Sequence, residues 1–248
     1  RRLLLDGDTI PRVHGVEELG LTAVNQHYLG HHGDTHYYAA QVADEAPAPN
    51  GMDFHNLRGL LTTLPERQLW MAARAVQVLS WDNNHQFCSR CGTPTVDATH
   101  ERAKNCPNCG LISYPRISPA MIVRVTRDGK NGREILLARS HKHPPNFYSV
   151  LAGFVEPGET LEECVAREIQ EEVGFAVKDI RYFGSQPWPF PNSLMVAFTA
   201  EHAGGDIELN TDEMAEAAWY TADNLPNIPP LPTISRQLIN DYISASHL

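Results

Sequence analysis

Long apolar runs are missing from this sequence, and their absence excludes one large class of proteins. No stretch of about 18 consecutive apolar residues occurs, and a helix that crosses a bilayer needs roughly that many. The opening residues 1–6 also contain no apolar stretch of signal-peptide length. We therefore expect no membrane partner. The 248 residues suit one large domain or two small ones.

Basic residues and cysteines are both scarce. Lys and Arg number 20 against 30 Asp and Glu, which gives a formal net charge of −10. Broad affinity for nucleic acid needs a basic surface, so this balance favours a small ligand or the end of a nucleic acid. The 5 cysteines are too few for a secreted disulfide scaffold. We expect a reducing, cytoplasmic compartment.

The first third of the chain carries no motif. Apolar spacing indicates a strand at Thr35–Val42 and a helix within 65–81. Four histidines cluster ahead of this strand and inside it: His27, His31, His32 and His36. We expect them in a surface loop rather than around a metal ion. Further along, Met121–Val125 and Glu134–Arg139 flank a hairpin turn at 128–132.

Four of the cysteines form two Cys-x-x-Cys pairs that lie close together in the sequence: Cys88, Cys91, Cys106 and Cys109. Gly92 and Gly110 follow the pairs, where each turn must be tight. Four protein ligands leave no position for water, so the pattern predicts one structural zinc ion per chain. Redox-active pairs or disulfides are the alternative, but neither explains why the pairs lie so close.

A helix with well-marked ends follows a Pro-Gly turn. Thr160 and Glu163 form a capping box at its start, and Gly174 ends it as a left-handed cap. Between them an apolar stripe would seat the helix on a sheet, and its members are Leu161, Val165, Ile169 and Val173.

Three glutamates lie beside that stripe, on one side of the helix: Glu168, Glu171 and Glu172. Like charges at this spacing repel one another, so helix stability does not explain them. A hard divalent cation such as Mg²⁺ or Mn²⁺ would relieve the repulsion because it takes oxygen ligands. A solvated acidic face is the alternative interpretation.

The whole segment 153–175 resembles the signature box of Nudix hydrolases, and every fixed position matches: Gly153, Glu159, Arg167, Glu168, Ile169, Glu171, Glu172, Gly174 and Phe175. The resemblance implies an α/β/α sandwich that hydrolyses a diphosphate joined to a nucleoside with the help of divalent metal. It implies that Glu168, Glu171 and Glu172 bind the metal, with Glu172, or a water it orients, on the base side. Arg167 would orient these glutamates, and Glu159 would support the loop–helix junction.

The segment 185–193 combines alternate prolines with aromatic residues. The prolines exclude a helix or a central strand and hold the chain extended, with Trp188 and Phe190 projecting. Such a segment can stack on a purine or pyridine ring, while Gln186 and Ser193 fix its orientation by hydrogen bonds. A hydrophobic loop packed on the core is the alternative.

This segment also resembles the marker of the NADH pyrophosphatase branch of the Nudix family. That branch has an N-terminal domain, a four-cysteine ribbon and a Tyr-Pro exit, which is Tyr114-Pro115 here. The resemblance implies an α/β chain with three parts. They are an N-terminal α+β domain at 1–85, a zinc ribbon at 86–116 and a Nudix sandwich at 117–248.

The branch implies two sets of site residues in this sequence. The metal ligands are the main chain of Ala152 and the side chains of Glu168, Glu171, Glu172 and Glu213, with Glu216 as the competitor of Glu213. The nucleotide contacts are Arg58, Glu101, Tyr114, Phe154, Gln186, Pro187, Trp188, Pro189, Phe190, Pro191, Asn192, Ser193 and Ser235. At the position of Ser235, relatives usually have a small apolar residue.

The implied reaction is hydrolysis of NADH or NAD⁺ to the nicotinamide mononucleotide and AMP, with two or three Mg²⁺ or Mn²⁺ ions. The same bond links an NAD cap to RNA, so decapping to 5′-monophosphate RNA is implied equally. The branch also implies a homodimer with a shared pocket. ADP-ribose or another dinucleotide is the second enzymatic possibility. A non-enzymatic zinc-ribbon RNA-binding module would have lost its glutamates, yet every box carboxylate is present.

Overall fold

The computed structural model describes residues 2–130 and 132–246, which group into two compact units. The first unit contains the chain through Ile117 together with the short segment Pro189–Asn192. The second unit contains Ser118–Trp188 and the chain from Ser193 onward. The segments that the sequence assigns to the N-terminal domain and to the ribbon therefore lie in the same unit.

The first unit begins with four strands and a helix: β1 (Arg2–Asp6), β2 (Ala23–His32), β3 (Thr35–Val42), β4 (Met52–Asn56) and α1 (Glu66–Asn84). β1 pairs antiparallel with β4, and β2 with β3. Alternate residues of the β2–β3 hairpin point inward, so Leu29 and Ala39 are buried against Val78 of α1. A second apolar cluster joins Leu57 and Leu60 to Leu69 of the same helix.

The expectation that the four histidines lie in a surface loop is wrong. His27, His31 and His32 belong to β2, and His36 belongs to β3, where it pairs with His31. Strand pairing prevails because the hairpin buries an apolar face on α1, and a loop would bury none.

The cysteine region forms a small sheet of three short strands: β5 (Val96–Asp97), β6 (Lys104–Asn105) and β7 (Ile112–Ser113). Lys104 is buried, and its ammonium lies 2.7 Å from Asp82 of α1 and 2.9 Å from Asp97. Asp82 is buried as well. A buried charge needs a partner, so this ion pair links the ribbon to the helix.

The second unit contains six strands and two helices: β8 (Ser118–Gly129), β9 (Gly132–Ser140), β10 (Leu151–Phe154), α2 (Leu161–Val173), β11 (Ala176–Trp188), β12 (Ser193–Gly204), β13 (Met214–Thr221) and α3 (Ile234–Ser246). The strand order is β11-β12-β8-β9-β13, and β10 also pairs with β8. β12 runs parallel to β8, and the other pairs are antiparallel. Asn131, which the sequence places in the turn between β8 and β9, lies outside the described residues.

The two helices of this unit cover opposite faces of the sheet. Val123 of β8 belongs to the apolar cluster that contains Val165 of α2. Its neighbour Ile122 belongs to the cluster that contains Leu238 of α3. Successive residues of a strand point to opposite faces, so this division confirms the expected α/β/α sandwich. Within the described residues, no helix is long and apolar enough to cross a membrane.

The proline-rich segment is partly a strand. β11 is the edge strand of the sheet and includes Pro187, and Trp188 at its end pairs with Ser193. An edge strand tolerates proline because one side of its backbone makes no ladder hydrogen bonds. The tip Pro189–Asn192 belongs to the first unit.

Candidate active site

Helix α2 presents the glutamates because both of its ends are fixed. Thr160 accepts a hydrogen bond from the Glu163 backbone at 3.2 Å, and Glu163 accepts one from the Thr160 backbone at 2.7 Å. Gly174 closes the helix in the left-handed conformation with φ 78°. Val165 and Ile169 are fully buried on the sheet, which sets the rotation of the helix about its axis.

The three glutamates differ sharply in exposure. Glu172 is buried at 7% exposure, Glu168 has a side-chain exposure of 14%, and Glu171 has one of 56%. Burial raises the pKa of Glu172 to about 8, with smaller contributions from the charges of Glu168 and Glu213. Burial also raises the pKa of Glu168. One oxygen of Glu172, Oε2, is buried without a hydrogen-bond partner among the described residues.

Arg167 braces the carboxylates from one side. Its guanidinium holds both oxygens of Glu159, at 2.6 and 2.9 Å, and this contact lowers the pKa of Glu159 to about 2. The third nitrogen donates to Glu168 at 3.0 Å and to Glu171 at 2.9 Å. Nη2, which bonds Glu159 at 2.6 Å, also donates to the carbonyl of Phe154 at 3.0 Å. A planar guanidinium suits this role because it offers several donors in a fixed geometry.

Strand β10 passes directly beneath these carboxylates. A Cβ atom on Gly153 would lie 1.9 Å from the carboxyl carbon of Glu168, so a larger residue there would displace the Glu168 carboxylate. Ala152 precedes it on the same strand, opposite Ile122 of β8. The glycine therefore brings the main chain of β10 close to the carboxylates of α2.

The structure separates the two candidates for the distal ligand. Glu216 lies 2.7 Å from the guanidinium of Arg139 and also accepts a hydrogen bond from the hydroxyl of Tyr148. Glu213 lies in the loop before β13, and its charge acts on both Glu168 and Glu172. Sequence spacing could not indicate these two contacts of Glu216, because Arg139 and Tyr148 lie 77 and 68 positions away from it.

The chemistry of this donor set fits divalent cations. The set consists of carboxylate oxygens, and one of them, Oε2 of Glu172, is buried without a hydrogen-bond partner among the described residues. Burial there disfavours negative charge, which a bound cation would offset. Among the described residues, no three carboxylates bring oxygens within 4.8 Å of one another. One nitrogen of Arg167 bonds both Glu168 and Glu171, so part of their coordinating capacity is occupied by the guanidinium.

The four predicted zinc ligands do converge. One sulfur each from Cys88, Cys91, Cys106 and Cys109 lie within 4.8 Å of one another. The sulfurs of Cys88 and Cys109 are 3.5 Å apart, as are those of Cys91 and Cys106, which is far longer than a disulfide bond of about 2 Å. Gly92 and Gly110 both have φ 72°, as the tight turns require.

Four of the predicted nucleotide contacts form two pairs in the first unit. The hydroxyl of the exposed Tyr114 donates to Glu101 at 3.1 Å. The guanidinium of Arg58 lies over the ring of Phe190, 4.2 Å from its centroid. Pro189 is buried and Phe190 is half-buried, so the ring of Phe190 packs against the core and does not project.

The remaining predicted contacts lie in the second unit, apart from the tip residues Pro189, Pro191 and Asn192 of the first. Phe154 is 56% exposed at the end of β10, so it does not pack inward with its strand. Gln186 is buried and donates to the carbonyl of Pro232 at 2.8 Å, while its oxygen accepts from the Ile234 backbone at 2.9 Å. Ser235 follows immediately and donates to Thr233. Gln186 and Ser235 thus meet at the start of α3, where Gln186 anchors the helix.

Family comparisons match the whole of this layout. A NUDIX domain model matches residues 116–242, an NADH pyrophosphatase-like rudimentary NUDIX domain matches 2–81, and an NADH pyrophosphatase zinc ribbon domain matches 83–114. The chain belongs to the Nudix hydrolase family, and its four-cysteine ribbon is a zinc ribbon.

Curated relatives extend the match over nearly the full length. The NAD-capped RNA hydrolase NudC of Deinococcus radiodurans is 43% identical over 246 residues, covering 99% of this chain and 85% of that protein. The enzyme of the same name from Chromobacterium violaceum is 47% identical over 220 residues, with coverages of 89% and 81%. A Nudix hydrolase structure from Nitrosomonas europaea matches with a TM-score of 0.53 at 24% identity, covering 65% of this chain and 92% of that one. It supports the fold alone.

Proposed function

We propose that this enzyme hydrolyses the diphosphate bond of NADH and NAD⁺, giving the nicotinamide mononucleotide and AMP. We propose that it also removes the NAD cap from RNA, leaving a 5′-monophosphate. The observation that carries the proposal is the buried Glu172 in the last turn of α2, whose carboxyl feels the charges of Glu168 and Glu213. The names of the curated relatives support the choice of substrate.

The residues that would hold two or three Mg²⁺ or Mn²⁺ ions are Glu168, Glu171, Glu172, Glu213 and the carbonyl of Ala152. When bound, such ions neutralise a diphosphate and lower the pKa of water. Glu213 is preferred to Glu216 because Glu216 is engaged by Arg139 and Tyr148. A structural Zn²⁺ ion in the ribbon, one per chain, completes the proposed cofactors.

The chain's own side chains would guide the proton and the carboxylates. In the reaction, water oxygen joins one phosphorus, the bridging P–O bond breaks, and a proton leaves the water. Glu172, or a water that it orients, would take that proton. Without a bound cation, burial raises the pKa of Glu172 to about 8, so a bound cation would keep the carboxylate ionised. Arg167 keeps Glu168 and Glu171 oriented, and Glu159 holds Arg167 in turn.

Recognition of the dinucleotide would fall to the aromatic residues. Phe154 offers an exposed ring one residue from Gly153, beside the carboxylates. Tyr114 with Glu101, and Arg58 with Phe190, offer a stacking surface and polar groups in the first unit. We further propose that the enzyme works as a homodimer, which sedimentation of the purified protein tests directly.

The decisive experiment is incubation with NADH and with NAD-capped RNA, in the presence of Mg²⁺ or Mn²⁺, followed by separation of the products. We expect nicotinamide mononucleotide with AMP from the first substrate and 5′-monophosphate RNA from the second. Glu213→Gln should lose activity, whereas Glu216→Gln, the matched control, should retain it. Turnover of ADP-ribose without turnover of either NAD substrate would contradict the proposal.

A further inference from the structure

Helix α1 carries a groove that the proposed chemistry does not use. The groove is shallow and open to solvent, measures about 470 Å³ and is lined by Glu66, Arg67, Trp70, Met71 and Arg74. These residues follow helical spacing and therefore share one side of α1. Arg67 and Arg74 are both exposed, and neither has a carboxylate within 4 Å among the described residues. Glu66 instead accepts a hydrogen bond from Trp70 at 3.2 Å.

A third arginine connects this groove to the β2–β3 hairpin. Arg102 donates to the carbonyl of Tyr28 at 2.5 Å. Burial and then the charge of Arg74 lower the pKa of Arg102, so these two guanidinium groups are electrostatic neighbours. Met71 of the groove packs against the apolar cluster beneath the hairpin. The groove and the hairpin are thus contiguous parts of the first unit.

The outer face of the hairpin carries a row of aromatic rings. The ring centroids of Tyr38 and Tyr28 are 5.1 Å apart, those of Tyr28 and His36 are 5.8 Å apart, and those of His36 and His31 are 5.5 Å apart. Tyr28 is 43% exposed and Tyr38 is 56% exposed. Core packing does not account for rings left in contact on an open sheet face.

We propose that the α1 groove and the aromatic row together bind single-stranded RNA. The chain has a net charge of −10, yet Arg67, Arg74 and Arg102 lie in the same unit as Trp70 and the four rings of the hairpin. A single strand matches this chemistry, since its phosphates pair with guanidinium groups while its bases stack on rings. The inference rests on the proposed function in one respect, namely that a capped RNA brings such a strand to the enzyme.

The proposed dinucleotide contacts lie on the same apolar cluster as this groove. Phe190, at the tip of the β11–β12 hairpin, and Trp70 both pack against the cluster around Leu69. A strand held at Phe190 would therefore lie in the same unit as α1. The surface would favour capped RNA over free NAD without touching the bond that breaks.

Binding of an uncapped RNA tests the surface independently of hydrolysis. The probe is a labelled single strand of about 20 nucleotides, titrated with the full-length protein at several salt concentrations. Arg67→Ala/Arg74→Ala should bind it about 10-fold more weakly, and its salt slope should be shallower by about 1.4, because two phosphate contacts are lost. Lys178→Ala/Arg181→Ala, which removes two exposed cations from β11, should bind like the wild type. Tyr38→Ala should weaken binding about 5-fold or more.

Kinetics then separate this inference from the proposed function. The double arginine variant should lose about 10-fold in kcat/KM on NAD-capped RNA and should keep its turnover of free NAD. If the wild type hydrolyses neither substrate, the proposed function fails, while the binding titration still decides this inference. Equal RNA binding by the wild type and the variant would overturn it. An altered oligomeric state of the variant in sedimentation would overturn it too, by assigning the surface to contact between copies.

Discussion

One guanidinium group, that of Arg167, reaches three of the box carboxylates and leaves out the fourth. It holds Glu159, Glu168 and Glu171, whereas Glu172 remains buried beside them without a cationic partner. This arrangement explains why the pKa of Glu159 falls to about 2 while that of Glu172 rises to about 8. Glu159, just before α2, therefore binds a proton much more weakly than Glu172, near the end of the same helix.

Replacing Glu172 by glutamine should remove most activity, by about 100-fold or more, because a group that stabilises charge in a closed site is lost. The fold should persist. Because the folded pKa lies above that of an unfolded glutamate, the buried carboxylate destabilises the protein increasingly as pH rises from about 4.3 toward 8. Without added Mg²⁺ or Mn²⁺, the melting temperature of Glu172→Gln minus that of the wild type should therefore increase as pH rises from about 4.3 toward 8. Near-normal turnover in a folded variant would rule out the assigned role.

Phe154→Ala tests recognition rather than bond cleavage. Stacking on an aromatic ring contributes about 1–3 kcal/mol per base, so kcat/KM for NADH should fall about 5- to 150-fold. ADP-ribose, which lacks nicotinamide, should be affected less. The melting temperature should hold because the ring is 56% exposed. Tyr182→Ala, at a similarly exposed aromatic, serves as the control. Equal losses on both substrates would reject the recognition role.

The carboxylate of Glu216 should contribute to the stability of the fold in a way that depends on pH. Hydrogen bonding from Tyr148, and then from Arg139, holds the pKa of Glu216 below its ordinary value. This contribution is present above about pH 4.3 and is lost as pH falls through the folded pKa. The melting temperature of the wild type should exceed that of Glu216→Gln at pH 7, and the difference should shrink in acid. A difference that does not change between pH 7 and pH 3 would contradict this account.

At the scale of elements, α2 is fixed by local signals, and the sequence predicts it to the residue. Its capping box and its left-handed Gly174 act within a few positions of the helix ends. β11 continues through Pro187 to Trp188, into the segment for which the prolines predict only an extended chain, because pairing with β12 rather than propensity decides where it stops. The anchoring role of Gln186 was not predictable, since its partners Pro232 and Ile234 lie 46 and 48 positions away.

Thr160→Ala should show how far the cap of α2 supports the site. Loss of an N-cap side chain costs about 1 kcal/mol, so a modest drop in melting temperature is expected. Thr160→Ser keeps the oxygen and is the matched control. Because Glu168 and Glu172 lie two turns or more along the helix, kcat should change little. A large loss of kcat in a stable Thr160→Ala protein would show that the cap positions the carboxylates directly.

At the scale of the whole molecule, the three-part division stays a prediction, and the first two of its parts lie in one compact unit. Motif spacing identifies the ribbon and the Nudix sandwich because their ligands lie close together along the chain. The buried pair of Lys104 and Asp82 has no such signal, since its members belong to different elements. The ribbon and the N-terminal strands consequently form one unit.

Zinc removal should therefore destabilise the first unit without stopping the chemistry directly. Elemental analysis should find about one zinc per chain, and a closed four-thiolate site contributes folding energy outright. Cys106→Ser should lower the melting temperature, while the protein that remains folded keeps its kcat. An unchanged melting temperature together with lost turnover would contradict a structural role for the metal.

The buried contact between Lys104 and Asp82 has a practical consequence for modular engineering. The bounds of the matched family domains suggest that the ribbon can be exchanged separately, by joining chains between residues 81 and 83. A cut directly after Asp82 would take Asp82 away from Lys104 and leave it only the exposed Asp97, and breaking a buried ion pair destabilises a protein by several kcal/mol. Chimeras that exchange the N-terminal part should therefore carry the ribbon with it and join the two parts after Ile117, so that both members of the pair come from one parent.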